Sequence, residues 1–280
     1  MKIIDFRVRP PYGGYLKDFL YTGIDVIESS ISPSYANATI SPAAKQKSME
    51  MLLKEMDELN VEKAVVPIRR AKNPDSTNED LVNLMKEYPK RFITMAGIDP
   101  FLSPLEEIDK YVLNGPCQGI LLEPSIFLPE ALYANDKRLY PIYEKCQENN
   151  IPVAMTFGGL GAPNLSYYRP EVVEQVVLDF PKMKIAVCHG GWPWVQAICA
   201  VAFERGNLYI CPDIYMRKMV GYQDYINAAN YMLSDKIIYG TTYPLTSMAD
   251  GIESHTTYGI RQEVLPKIMH DNALKFLNLM

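Results

Sequence analysis

The sequence predicts an α/β protein of the (β/α)8 TIM-barrel class. Eight short β-rich apolar runs alternate with longer amphipathic helical stretches. The chain's 280 residues are close to the roughly 250 of one such barrel. Its long connections all follow strands, at the end where barrel sites are built.

In order, the expected strands are residues 2–5, 63–68, 92–96, 118–122, 151–156, 184–189, 208–211 and 236–239. Most are unbroken apolar runs without alternation, the pattern of a parallel sheet covered on both faces. Between them, Met49, Leu52, Leu53, Met56 and Leu59 share one helical face, as do Val172, Val173, Val176, Val177 and Phe180. Ser103-Pro104-Leu105-Glu106 has the form of a capping box with proline at the first helical position, and Ser76 with Glu79 forms a second. An open doubly wound sheet is the alternative. It is weakened because no glycine-rich phosphate loop follows any strand. The long connections are 9–41, 123–136 and 157–169, lengths that suit functional lids. With no repeat, linker or low-complexity segment, residues 1–280 are expected to form one domain.

The net charge of −5 argues against nucleic-acid binding, which needs a basic face. No apolar run has the length of a membrane span, and the first residues enter a strand rather than a signal peptide, so a cytoplasmic location is expected. The five cysteines are odd in number and match no zinc spacing. They read as small buried hydrophobes.

Polar residues at the C-terminal strand ends are the first candidates for chemistry: Arg7, Arg9, Arg69, Arg70, Asp99, Glu123, Thr156, His189, Asp213 and Thr242. The surrounding motifs carry a resemblance. Ile4-Asp5-Phe6-Arg7-Val8-Arg9 resembles an Ile-Asp-x-His-x-His first strand. Pro152-Val153-Ala154-Met155-Thr156-Phe157-Gly158 resembles Pro-Val-x-x-His-Thr-Gly. His189-Gly190-Gly191 resembles His-Gly-Gly, and Gly240-Thr241-Thr242-Tyr243-Pro244 resembles Gly-Ser-Asp-Tyr-Pro. Asn272-Ala273 resembles the closing helix. Together, in this order, they are similar to the amidohydrolase-related family that includes aminocarboxymuconate semialdehyde decarboxylase.

In that family, the two first-strand histidines, the fifth-strand histidine and the eighth-strand aspartate bind a metal. Here those positions hold Arg7, Arg9, Thr156 and Thr242, and no metal or other cofactor is expected. Only His189, the family's catalytic base or water activator, is retained. Arginine is always protonated and has no lone pair for a metal. A divalent ion about 4 Å from one guanidinium would be repelled by roughly 8 kcal/mol at an effective dielectric of about 20. Arg7 and Arg9 are therefore expected to replace the ion's charge and grip a substrate carboxylate. The competing reading pairs them with Asp5, Glu123 or Asp213.

His189 is the expected general base. Glu123 and Asp213 act as acid and base, or orient His189 and the arginines. Arg69 adds a second carboxylate contact. Thr156 and Thr242 complete the substrate site, and Trp192, Tyr215 and Tyr243 supply an aromatic wall. Trp194 reads as helix packing. One branch of the resembled superfamily, the pyrone-dicarboxylate lactonases, works without metal. The expected activity is a metal-independent hydrolase of a small carboxylate-bearing lactone or keto acid. The alternatives are a decarboxylase or other carbon–carbon lyase, and a non-catalytic ligand-binding barrel. The resemblance also implies a homodimer.

Overall fold

The computed structural model describes residues 1–70, 75–127, 129–159 and 161–280. Leu128 and Leu160, in two of the long connections, lie outside the described residues, as does 71–74. Seven strands pair in parallel in chain order: β1 Ile3–Asp5, β2 Val61–Pro67, β3 Phe92–Gly97, β4 Gly119–Leu122, β5 Val153–Thr156, β6 Ile185–Cys188 and β7 Leu208–Cys211. The expected eighth strand is not a regular strand. Its segment closes the circuit through single bridges, Ile237 with Ile210 on β7 and Tyr243 with Val8 beyond β1. The Phe6 and Arg9 amides donate to the carbonyls of Tyr239 and Tyr243, which shuts the barrel. The stave is irregular because Gly240 and Thr241 lie between the bridges: the Thr241 amide is taken by the Asp5 carboxylate instead of a ladder carbonyl.

Period-two alternation is present but hidden by burial on both faces. Ile4, Phe6, Ile93, Met95, Ala186, Cys188, Tyr209 and Cys211 form the barrel interior. Their neighbours Ile3, Val153, Met155, Ile185, Val187, Leu208 and Ile210 join the larger core beneath the helices. The terminal helix plugs the N-terminal end, with Phe276 edge-on to Phe6 and Tyr209, each at 5.4 Å between ring centroids.

The outer helices dock by the faces that the sequence marks. In α1, Met49–Glu58, Leu52 and Met56 are fully buried, and Ser48 caps the Met51 amide. Two expected caps are corrected. The helix Asn78–Glu87 (α2) has its box one residue later, at Thr77 and Asp80, because Ser76 is itself buried. Ser103 precedes Pro104–Ile108 (α3) with φ +41° and makes no side-chain cap bond. A cap hydroxyl reaches the N2 or N3 amide only from extended backbone, which this serine does not have.

Candidate active site

The site is strung across the C-terminal mouth of the barrel. Arg7, just past β1, reaches over it. Its Nη1 donates to Asp213 Oδ2 and its Nη2 to Thr156 Oγ1, each at 3.2 Å. Thr156 Oγ1 in turn donates to Glu123 Oε1 at 3.3 Å, and Arg69 Nε donates to the same oxygen at 2.7 Å. On the other side, Asp213 Oδ1 lies 3.0 Å from His189 Nδ1, while Oδ2 accepts the His189 amide at 3.0 Å. Three residues at this rim have left-handed backbone: His189 at φ +66°, Asp213 at +45° and Thr242 at +64°. That conformation costs a non-glycine residue about 1–3 kcal/mol, most reluctantly a β-branched one, and such strain gathers at functional sites.

Read from sequence alone, Arg7 and Arg9 are equivalent; the structure separates them. Arg7 is internally paired. Arg9 is 2% exposed, yet its Nε and Nη1 have no hydrogen-bond partner. Burial, then the neighbouring Arg7 and Arg69, pull its pKa down to about 9, which still leaves it charged at neutral pH. Among the expected site residues, three further buried atoms lack partners: Arg7 Nε, Glu123 Oε2 and Thr242 Oγ1. Buried polar groups are nearly always satisfied, so this cluster marks a place built for something else.

The acids stay ionised. Burial would raise Glu123, but Arg69, Arg7 and Arg9 outweigh it and hold the carboxyl below its usual range. Burial would likewise raise Asp213; His189 and Arg7 bring it down. His189 goes the other way. Burial and Arg7 depress it to about 4 against the pull of Asp213, so the ring is neutral at physiological pH. With Nδ1–H donating to Asp213, Nε2 keeps a free lone pair.

Around this line stand the aromatics. Tyr215 packs edge-on to His189 and tilted against Trp192, both at 5.4 Å. Gly159 lies over it: a Cβ there would sit 2.4 Å from the Tyr215 hydroxyl, and its φ of +83° also favours glycine. Tyr243 does not join the wall. It is fully buried and its hydroxyl is bound to Ser41 at 2.7 Å, because the turn it occupies closes the barrel against the first loop. Trp194 is 37% exposed at the start of α4, Val195–Glu204, rather than packed under it. Three residues outside the expected site set also matter. Tyr35 meets Tyr215 edge-on at 5.9 Å. Arg217, only 5% exposed, holds the carbonyls of Tyr35 and Ala36. Asp5 accepts from the Arg7 and Thr241 amides and the Thr241 hydroxyl, and burial raises it to about 6. The signal for Tyr35 was its place in a long tyrosine-rich loop; Arg217 carried none.

The residues present do not suit a divalent metal. Guanidinium nitrogens have no lone pair, and two of them occupy the centre of the mouth. Among the described residues, no three His, Cys, Asp or Glu side chains converge to hold an ion.

Fold and site together define a (β/α)8 barrel with a dense cluster of buried charges at the C-terminal ends of its strands. The amidohydrolase family model matches residues 37–279, and the chain belongs to that family. A solved TIM-barrel protein of unknown role from Bordetella bronchiseptica is 34% identical, over 100% of this chain and 99% of that one, with a TM-score of 0.92. Two more distant structures share the fold at 14% identity. The 2,6-dihydroxybenzoate decarboxylase from Rhizobium has a TM-score of 0.71, over 100% of this chain and 99% of that one. A probable 2-pyrone-4,6-dicarboxylic acid hydrolase from Acinetobacter baumannii, with citric acid bound, has a TM-score of 0.67, over 99% and 100%. No curated protein matches the chain.

Proposed function

We propose that this chain is a metal-independent hydrolase of a small carboxylate-bearing compound, a lactone or an enol-keto acid. The observation that carries the reading is Arg9, a buried guanidinium with unused donors beside a His189–Asp213 pair. A substrate carboxylate supplies the missing counter-charge. Asp213 fixes the His189 tautomer so that Nε2 takes a proton from water as the oxygen attacks the carbonyl. The free Nε–H of Arg7 polarises the carbonyl oxygen, a role in which one donor contributes about 3–4 kcal/mol. His189 then returns the proton to the departing oxygen, and the ring opens to a hydroxy or keto acid. Tyr215 and Trp192 flank a flat substrate.

Turnover in water labelled with oxygen-18 tests the reaction. One labelled oxygen in the product and no carbon dioxide supports hydrolysis. Carbon dioxide release assigns the chain to the lyases instead. Elemental analysis of protein purified without chelator tests the metal: one equivalent of zinc or manganese that turnover requires would end the proposal.

A further inference from the structure

The unpartnered atoms at the barrel mouth describe the missing ligand by complementarity. Arg9 Nε and Nη1 and Arg7 Nε are donors without acceptors. Glu123 Oε2 is the opposite, a buried acceptor without a donor. Its other oxygen is doubly occupied, by Arg69 and by Thr156. Glu123 is 2% exposed, and its three arginine neighbours keep it ionised, so it can only accept. Thr156 accepts from Arg7 and donates to Glu123, so the unfilled Arg7 donor and the unfilled Glu123 acceptor belong to side chains on one hydrogen-bonded line, with Arg9 two residues along the chain from Arg7. A carboxylate placed there answers the arginines, but it repels Glu123. Some other part of the same molecule must give Glu123 a hydrogen.

Resting on the carboxylate grip of Arg9 proposed above, we infer that the substrate is a hydroxy- or enol-carboxylate whose O–H donates to Glu123 Oε2. Glu123 is then the specificity-determining residue. A carbonyl or ether in place of that hydroxyl sets two acceptors against each other inside a buried site, and discrimination on those terms is steep. Thr242 Oγ1, buried and free, both donates and accepts, so it tolerates either neighbour and does not discriminate.

Calorimetry with benzoates and butenoates tests the assignment. Each is used as the parent acid, as its hydroxy acids with the hydroxyl at every available position, and as the matching methyl ethers. At least one hydroxy acid is expected to bind about tenfold or more tightly than both its parent acid and its methyl ether. In Glu123→Gln the amide offers a hydrogen where the carboxylate had only lone pairs. The preference for hydroxyl over methyl ether then disappears, while the parent acid binds more tightly, because the like charge beside its carboxylate is gone. Hydroxy acids that bind the wild-type protein no better than their ethers overturn this inference and leave the carboxylate grip standing. Parent acids that fail to bind, or that bind Arg9→Met as well as wild type, overturn the grip itself. The wild-type comparison needs no variant, so it decides even where Glu123→Gln folds poorly.

Discussion

Arg7 and Arg9 lie two residues apart just beyond β1, with opposite energetic signs. Arg9 is a buried charge whose Nε and Nη1 go unanswered, so removing it relieves desolvation and the repulsion from Arg7 and Arg69. Arg9→Met is expected to raise the melting temperature while weakening carboxylate binding by about two orders of magnitude, the worth of two charged hydrogen bonds. A lower melting temperature with unchanged binding would make Arg9 a structural residue. Arg7→Met leaves Asp213 buried with its Arg7 bond lost, and should destabilise by about 3–5 kcal/mol in denaturant titration. Asp213→Asn tests the dyad. It frees the His189 tautomer and should cost on the order of 10²–10⁴ in kcat with KM little changed; an unchanged kcat removes Asp213 as the residue that orients the base. The positions of these residues were legible in the sequence, because strand ends in a barrel converge. Their partners were not. Which arginine spends its nitrogens on Asp213 and Thr156 depends on reach across the mouth, and sequence spacing on one strand says nothing about residues 149 and 206 positions away.

At the scale of elements, the apolar runs placed all seven regular strands within about two residues, because burial on both faces writes a continuous hydrophobic signature. The eighth segment carries the same apolar signature, but a carboxylate from β1 takes its ladder amide, which no local pattern announces. The two misplaced caps failed for a related reason: a cap is a backbone conformation first and a residue type second. The long first loop shows what holds a lid. Arg217 donates to the carbonyls of Tyr35 and Ala36 in that loop and of Asp250 in the helix Met248–Thr257 (α5). Thr39 adds a bond to the Asp250 carboxylate at 2.8 Å. This strap sets Tyr35 against Tyr215, at the edge of the His189 site. Arg217→Ala should therefore raise KM several-fold at nearly constant kcat and expose residues 27–41 to protease. Equal proteolysis of variant and wild type would show that the loop holds without the strap.

Across the whole molecule, the buried titratable groups set an acid limit. His189 and His255 are both depressed to about 4 by burial, from an ordinary value of 6.5. Each is held neutral by the fold and protonates freely once the chain unfolds. Their contribution is complete above pH 6.5 and is lost as the pH falls from there toward 4, by about 3 kcal/mol each. Asp5 works against them. Burial raises it from 3.8 to about 6, so the fold carries a penalty above pH 6 that disappears as the pH falls toward 4, again about 3 kcal/mol. One histidine's worth is left over, a net loss of about 3 kcal/mol between pH 6.5 and 4. Below 4, Asp213 and Glu123, both held under their ordinary values, add to the loss. Urea titrations at pH 7, 5.5 and 4 should show the midpoint falling steadily. In Asp5→Asn the penalty near neutral pH is gone, so that variant should lose more stability over the same interval than wild type does. If Asp5→Asn and wild type fall in parallel, Asp5 titrates normally and its raised pKa is refuted. Activity follows the same groups with a different onset. His189 serves as a base only while neutral, so the acid limb of kcat/KM should lie near pH 4, well below that of an ordinary histidine. A limb near 6.5 would mean that the ring is not desolvated in the working enzyme, and that Asp213 governs it more strongly than Arg7 does.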